Sequence, residues 1–115
     1  MGNNALAVRL LPEPLRSIAF GSISGTYAAI GTALAHASRI LSIKNTTDAD
    51  MIISFDGTND NDIVPAESGI ILDFSANQAH LAGAFLAAGT TVYVKQVSAP
   101  SKGSVYVSTY YGYNP

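Results

Sequence analysis

The stretch Ser104-Val105-Tyr106-Val107-Ser108-Thr109-Tyr110-Tyr111-Gly112-Tyr113 decides the fold, and Lys102 and Gly103 turn the chain into it. Valine, threonine and tyrosine alternate in this run with serine and tyrosine, and a two-residue period is typical of a β-strand with one buried face. The same period recurs earlier, at Leu41 and Ile43, at Met51, Ile53 and Phe55, at Ile70, Leu72 and Phe74, and at Val92 and Val94. Strands at short, regular spacing with turn residues between them favour a sandwich or barrel over β-α-β units.

We therefore expect an all-β fold, a single jelly-roll-like antiparallel β-sandwich over residues 16–115. Asn45-Thr46-Thr47-Asp48 supplies turn chemistry between two of the strands, which predicts a hairpin joining residues 41–43 to residues 51–55. Two alanine-rich stretches, residues 27–37 and 76–88, also fit helical spacing. Because Gly31, Gly83 and Gly89 would weaken a helix in these stretches, we expect strands or extended loops there.

Composition limits the chain to one domain and excludes several classes of site. The 115 residues carry a formal net charge of -2, and 48% of them are hydrophobic, so a chain of this size can fold alone. Since there is no cysteine, disulfides, thiolate zinc sites and cysteine nucleophiles are excluded. Lysine and arginine number 6 against 8 aspartate and glutamate. That balance is not the basic footprint of a nucleic-acid-binding protein.

The charge content also bears on membranes and on association. No apolar run reaches the roughly 18 to 20 residues that span a bilayer, and residues 1–12 lack the pattern of a signal peptide. We expect no membrane partner and a chain made in the cytoplasm. Charged residues are only 12% of the chain, against ~25% in an ordinary soluble domain. Such a surface is weakly protected against association, which indicates a subunit of a larger assembly.

The first fifteen residues are predicted to form an extended N-terminal arm. Leu6, Val8 and Leu10 alternate with alanine and arginine, a period that suits a strand laid on another subunit or along the edge of this domain. Pro12 and Pro14 disfavour a helix here, because proline lacks a donor and biases the preceding residue toward extended geometry. A frayed terminus is the alternative.

Tyrosines concentrate in the last predicted strand. A tyrosine side chain has a large apolar body and a polar tip, which suits a protein interface or a sugar-stacking face. The alternative is that these rings simply cover the faces of a sheet. The candidate interface residues of the arm and of this cluster are Leu6, Val8, Leu10, Leu11, Tyr106, Tyr110, Tyr111 and Tyr113.

The acidic loop at residues 56–62 is the strongest candidate for a metal site, because calcium binds six to eight oxygen ligands. Its spacing copies that of an EF-hand, but Asn61 stands where the turn needs glycine, and the flanks are strand-like. An EF-hand is therefore excluded. An irregular calcium site would use Asp56, Asp60, Asp62 and Glu67. The alternative is a hairpin loop whose side chains cap their own backbone.

Catalytic signatures are not expected in this chain. His36 and His80 lie among alanine and leucine, with no nearby carboxylate in the sequence to orient them. The glycine-rich stretch at residues 21–25 lacks the lysine of a phosphate-binding loop, and Ile23 stands where a nucleophile elbow needs serine. We expect no enzyme and no cofactor.

The chain resembles small virion structural proteins of tailed bacteriophages in five stretches, and the resemblance extends over most of the chain after Pro14. The stretches are Leu15-Arg16-Ser17-Ile18-Ala19-Phe20, Gly25-Thr26-Tyr27-Ala28-Ala29-Ile30-Gly31, Ile53-Ser54-Phe55-Asp56-Gly57, Ala88-Gly89-Thr90-Thr91-Val92-Tyr93-Val94 and Gly103-Ser104-Val105-Tyr106-Val107. The resemblance implies a non-enzymatic β-sandwich that assembles in symmetric copies on the capsid or at the head-tail junction. It transfers no functional residues.

Two functions are expected from these observations. The first is a virion structural protein, either a capsid decoration or cement subunit or a neck or tail component, with itself and other phage virion proteins as partners. Its location would be the virion. The alternative is a small carbohydrate- or calcium-binding module that uses the acidic loop and the tyrosines.

Overall fold

The structure is a computed structural model that describes residues 9–73 and 86–113. Within those ranges the chain forms nine β-strands and one short 3-10 helix at Phe20–Ser22. The strands are β1 (Arg9–Pro12), β2 (Arg16–Ala19), β3 (Ala28–Ala29), β4 (Ser38–Asn45), β5 (Met51–Ser54), β6 (Asp62–Val64), β7 (Ser68–Asp73), β8 (Tyr93–Gln96) and β9 (Ser104–Tyr113).

The strands form two antiparallel sheets that pack together as a sandwich, as the sequence predicted. Sheet A has the order β1-β9-β4-β7, with β2 also pairing with β9, and sheet B has the order β3-β8-β5-β6. The pairs are nested along the chain, since β2 pairs with β9, β3 with β8, β4 with β7, and β5 with β6. The chain is thus one long hairpin rolled into two sheets, which is the connectivity of a jelly roll. Its tip is the acidic loop.

The core lies between the two sheets and is built from alternate residues of the predicted strands. Leu41, Ile43, Val105 and Val107 point inward from sheet A, and all four are fully buried. They pack against Met51, Ile53, Val64 and Val94 of sheet B, which are also fully buried. Burying each such side chain contributes about 1.5–3 kcal/mol. The two-residue period seen in the sequence is therefore the alternation between this core and the solvent-facing sides of the sheets.

The predicted hairpin between β4 and β5 is wrong. β4 belongs to sheet A and β5 to sheet B, so the turn residues carry the chain across the sandwich rather than back along one sheet. Asn45 is buried in this crossing, where its Nδ2 donates to the backbone oxygens of Ala49 at 2.9 Å and Val64 at 3.1 Å. Its Oδ1 accepts from the backbone N–H and the hydroxyl of Thr47. These bonds satisfy buried backbone groups that a change of sheet leaves without a ladder partner.

The alanine-rich stretch at residues 27–37 is extended, as predicted, with β3 at its start and no helix. Gly31 lies in this stretch with a φ of 70°, and a Cβ added to it would come within 2.9 Å of the Arg16 side chain. The second stretch, residues 76–88, lies mostly outside the described residues, as does Phe74. At its end Leu86 forms an isolated antiparallel bridge with Ser38 of β4.

Candidate functional site

The solvent-facing side of sheet A, here called the outer face, gathers several of the predicted interface residues. In β9, Val105, Val107 and Thr109 point into the core, so the intervening Tyr106 and Tyr110 lie on the opposite side of the sheet. The register between neighbouring strands aligns the residues of the outer face in three rows. The rows are Ile71, Ser42 and Ser108; Gly69, Lys44, Tyr106 and Ser17; and Asp73, Ile40, Tyr110 and Pro12. Leu10 extends the face beyond them.

This outer face exposes three large apolar side chains and carries few charges. Ile71 is 70% exposed, Leu10 42% and Tyr110 38%, although each is a large apolar side chain. Lys44 and Asp73 are the charged members of the three rows. A groove of about 540 Å³ is lined by residues 42–46 and 67–71, and a Cβ added to Gly69 would come within 2.8 Å of the Ile43 backbone oxygen. A sheet face with several exposed large apolar side chains is a candidate interaction site.

The candidate interface residues divide between the two sides of sheet A. Leu10, Tyr106 and Tyr110 share the outer face, whereas Leu11 pairs with Tyr111 on the opposite side. The Tyr111 ring stacks on His36 with the ring centroids 3.7 Å apart and an interplanar angle of 9°. The structure therefore does not bring all of these candidates to one surface. Leu6, Val8 and the side chain of Tyr113 lie outside the described residues.

A buried ion pair joins the first two strands to the loop after β3, and sequence reasoning missed it. Arg16 Nη2 donates to Glu13 Oε1 at 2.7 Å, and the two side chains are 7% and 4% exposed. Glu13 Oε2 accepts from the backbone N–H of His36 and contacts its Nδ1, both at 2.8 Å. Arg16 Nε in turn donates to the Thr32 backbone oxygen at 2.7 Å. The cluster ties the N-terminal strands to the body of the domain.

The electrostatics of this cluster favour a charged Glu13. Burial by itself would raise the pKa of Glu13, but hydrogen bonds from Arg16 and His36 outweigh it and hold that pKa below its ordinary value. The carboxylate beside His36 is not apparent from the sequence, because Glu13 lies 23 residues away along the chain. The one available signal was an acidic residue between two prolines, Pro12 and Pro14, in an otherwise apolar segment.

The acidic loop caps its own backbone, as the alternative prediction held. Asp56 Oδ1 accepts from the backbone N–H groups of Thr58 and Asn59, both at 2.8 Å, and from the hydroxyl of Ser54. These bonds, led by the one from the Asn59 backbone, hold the pKa of Asp56 far below its ordinary value. Asn61 Oδ1 accepts from the backbone N–H of Phe55 at 2.8 Å. The loop joins β5 to β6 as a hairpin.

The other three candidate calcium ligands each contact a different partner. Asp60 lies 3.0 Å from Lys95 Nζ and accepts from the Tyr27 hydroxyl, while Lys95 sits 4.7 Å from the centre of the Tyr27 ring. Desolvation, with the Asp60 carboxylate, raises the pKa of Tyr27 to about 12. Asp62 accepts from the Ile63 backbone N–H at 2.8 Å, and Glu67 lies 3.7 Å from Lys102. Among the described residues, no group of three or more histidine, aspartate or glutamate side chains could hold a metal ion.

Comparisons with known proteins add no relative. No protein-family model matches the chain, and no curated protein matches it. Within residues 9–73 and 86–113, no helix is long and apolar enough to cross a membrane. What can be inferred about function therefore comes from the sequence, the fold and the outer face.

Proposed function

We propose that the chain is a non-enzymatic structural protein of a tailed-bacteriophage virion, acting as a capsid decoration or cement subunit or as a head-tail (neck or tail) component. The observation that carries the proposal is the outer face of sheet A. It sets Ile71, Leu10 and Tyr110 in water on a sheet surface with few charges. A surface of this kind is stabilised when a protein partner covers it.

The sequence resemblance to small virion proteins supports the choice of partner. Proteins of that class act in many symmetric copies, and modest contacts that repeat around a particle add up through avidity. A charged fraction of 12% supports the same interpretation, because it gives isolated copies little mutual repulsion. The proposed partners are further copies of this chain and other virion proteins, such as the major capsid protein or neck and tail proteins.

The position of β1 shows where the predicted arm joins the domain. β1 is the edge strand of sheet A, where Arg9 pairs with Tyr113. The described part of the chain thus begins at the rim of the sandwich. In the proposed function Leu6 and Val8 contact a neighbouring subunit, and their alternation suits a strand added to another sheet edge.

The direct test is to measure the chain in purified virions by quantitative mass spectrometry. We expect a fixed number of copies per particle, in proportion to the major capsid protein or to the neck. A chain that is made in infected cells but is missing from purified particles would contradict the proposal. Deleting residues 1–8 should abolish incorporation without changing the melting temperature, because β1 and the Glu13 ion pair remain.

A matched pair of variants separates the arm's apolar contacts from its charge. Leu6→Asp with Val8→Asp should abolish incorporation, because these are the predicted apolar contacts. Asn3→Asp with Asn4→Asp adds the same charge to the same arm at polar positions and should incorporate normally. Equal incorporation of the two double variants would remove the arm from the proposal and leave the outer face as its support.

A further inference from the structure

We propose that the outer face of sheet A is the contact surface of a two-fold symmetric dimer of this chain, with the strands of the two copies antiparallel across the contact. The inference deepens the proposed function by naming a second copy as the subunit's first partner, and it rests on that function only for its place in a virion. The arrangement of the two copies is inferred from the strand register.

The face is complementary to itself about its central row. Ile71, Ser42 and Ser108 lie side by side on β7, β4 and β9. A two-fold axis along this row, parallel to the sheet and perpendicular to the strands, places each of these residues against its own copy. On each strand, the residue two positions before the row then lies opposite the residue two positions after the row in the second copy.

That operation pairs a larger side chain with a smaller one at three positions and two tyrosines on β9. Gly69, at the groove, comes opposite Asp73 of the second copy, since both lie on β7 two residues from Ile71. On β9, Tyr106 comes opposite Tyr110 of the second copy, because each lies two residues from Ser108. At the rim, Ser17 of β2 comes opposite Pro12 of β1, and Ala19 opposite Leu10. Interdigitation of large and small side chains is what close packing between two faces requires.

The charges of the face are also complementary under the same axis. Lys44 comes opposite Ile40 of the second copy, and Ile40 is the register partner of Asp73. The ammonium group of each copy therefore approaches the carboxylate of the other, twice per dimer. A parallel arrangement of strands would instead place Lys44 near Lys44 and lose this pairing. Charge complementarity of this kind fixes the orientation of two faces more than it adds affinity.

The size of the face corresponds to a small, weak and reversible dimer contact. The strands of sheet A at ~4.8 Å spacing and ~3.4 Å per residue give roughly 500 Å² of flat sheet, and side chains make the accessible area larger. Stable interfaces bury about 800 Å² on each partner. Aligned sheets cross at about 30°, so contact is closest along the central row.

Site-directed cross-linking tests the axis directly, because the chain has no cysteine of its own. Ser108→Cys lies on the axis and should give a covalent dimer with a short bis-maleimide. Tyr106→Cys and Tyr110→Cys should each cross-link poorly alone, since the same residue in the two copies is offset by about 14 Å along the strands. The two variants should cross-link efficiently when they are mixed. Ile63→Cys is the control, an isoleucine on sheet B that is 50% exposed. Equal yields for Ser108→Cys and Ile63→Cys, or efficient self-linking of Tyr106→Cys, would overturn the two-fold arrangement.

Sedimentation equilibrium of the full chain provides the second measurement. We expect a reversible dimer whose Kd rises about ten-fold or more in Ile71→Lys, because the change buries two unpaired ammonium groups on the axis. The matched variant Ile63→Lys should leave Kd unchanged, and both variants should melt like the parent chain at concentrations well below Kd, where all three are monomers. Equal Kd values for the two variants would overturn the inference.

The outcomes also separate this inference from the proposed function. A chain that stays monomeric at high concentration and still incorporates into virions overturns the dimer and leaves the proposed function intact. If Ile71→Lys blocks incorporation of such a monomer, the face binds a different virion protein, and the dimer is again overturned. A dimer that forms in solution but is missing from purified particles supports the inference and contradicts the proposed function.

Discussion

Replacing Glu13 with glutamine tests whether the buried ion pair fixes the N-terminal strands to the domain. Glu13→Gln removes the charge that faces the buried guanidinium of Arg16 and sets an amide donor against N–H groups of Arg16 and His36. Breaking a buried pair from one side costs about 3–5 kcal/mol. We expect the lower end of that range, because Arg16 keeps its bonds to the backbone oxygens of Thr32 and Ala33.

The expected loss of about 3 kcal/mol corresponds to a fall in melting temperature of roughly 12 °C for a domain of this size. Urea unfolding followed by far-UV circular dichroism is a suitable assay, since the chain has no tryptophan. Glu67→Gln is the control, because its pair with Lys102 spans 3.7 Å and both side chains are more than 60% exposed. That variant should change stability by no more than about 0.5 kcal/mol.

A double-mutant cycle completes the test. Arg16→Met removes the other charge, so the double variant with Glu13→Gln should be less destabilised than the sum of the single variants by at least about 1 kcal/mol. Equal losses in Glu13→Gln and Glu67→Gln, or additive losses in the cycle, would refute the view that this pair supports the fold.

Four further outcomes follow from the contacts described. Folding lowers the pKa of Glu13, so the stabilisation from this carboxylate is complete above its ordinary pKa of 4.5 and is lost as the pH falls below that value. The urea midpoint of the parent chain should therefore drop at acidic pH, and the drop should be smaller in Glu13→Gln. Gly89→Ala, at φ +90° with no atom within 4 Å of the new Cβ, should cost about 1 kcal/mol. Gly103→Ala, at φ +89° with its Cβ 2.3 Å from the Thr46 backbone oxygen, should cost at least about 2 kcal/mol more; equal urea midpoints for the two would contradict the contact. Asn45→Asp sets a carboxylate beside three carbonyl oxygens and should destabilise by about 2–4 kcal/mol at neutral pH, with a loss that shrinks below pH ~4 as the acid is protonated. Millimolar calcium should leave the melting temperature unchanged, and a rise by mass action would restore the metal site.

Period-two alternation located the longer strands because a half-buried strand shows its buried face in its sequence. β4, β5, β7 and β9 all lie where that alternation is clear. β3 is only two residues long and β6 three, so neither has room for a period. The hairpin between β4 and β5 was predicted wrongly, because turn residues encode a change of direction and not the sheet that the next strand joins. At this crossing, buried Asn45 of sheet A donates to the backbone oxygen of Val64 in sheet B.

The candidate site could be predicted in part for the same reason. Alternation alone places Tyr106 and Tyr110 on one side of β9 and Tyr111 on the other, and the structure agrees. The cluster of Glu13, Arg16 and His36 could not be predicted, because it depends on which loop passes beside β2. The complementarity of the outer face likewise depends on the register between β4, β7 and β9, and no local pattern encodes register over such distances.

The central place of β9 in sheet A has a consequence for how the protein folds during synthesis. β1 and β2 have their ladder partner in the last of the described strands, with Arg9 opposite Tyr113. A ribosome adding ~5–20 residues per second leaves those two strands unpaired for several seconds, until β9 has emerged. The nascent chain should therefore remain sensitive to protease and dependent on chaperones until translation has passed β9, and then become resistant in a single step.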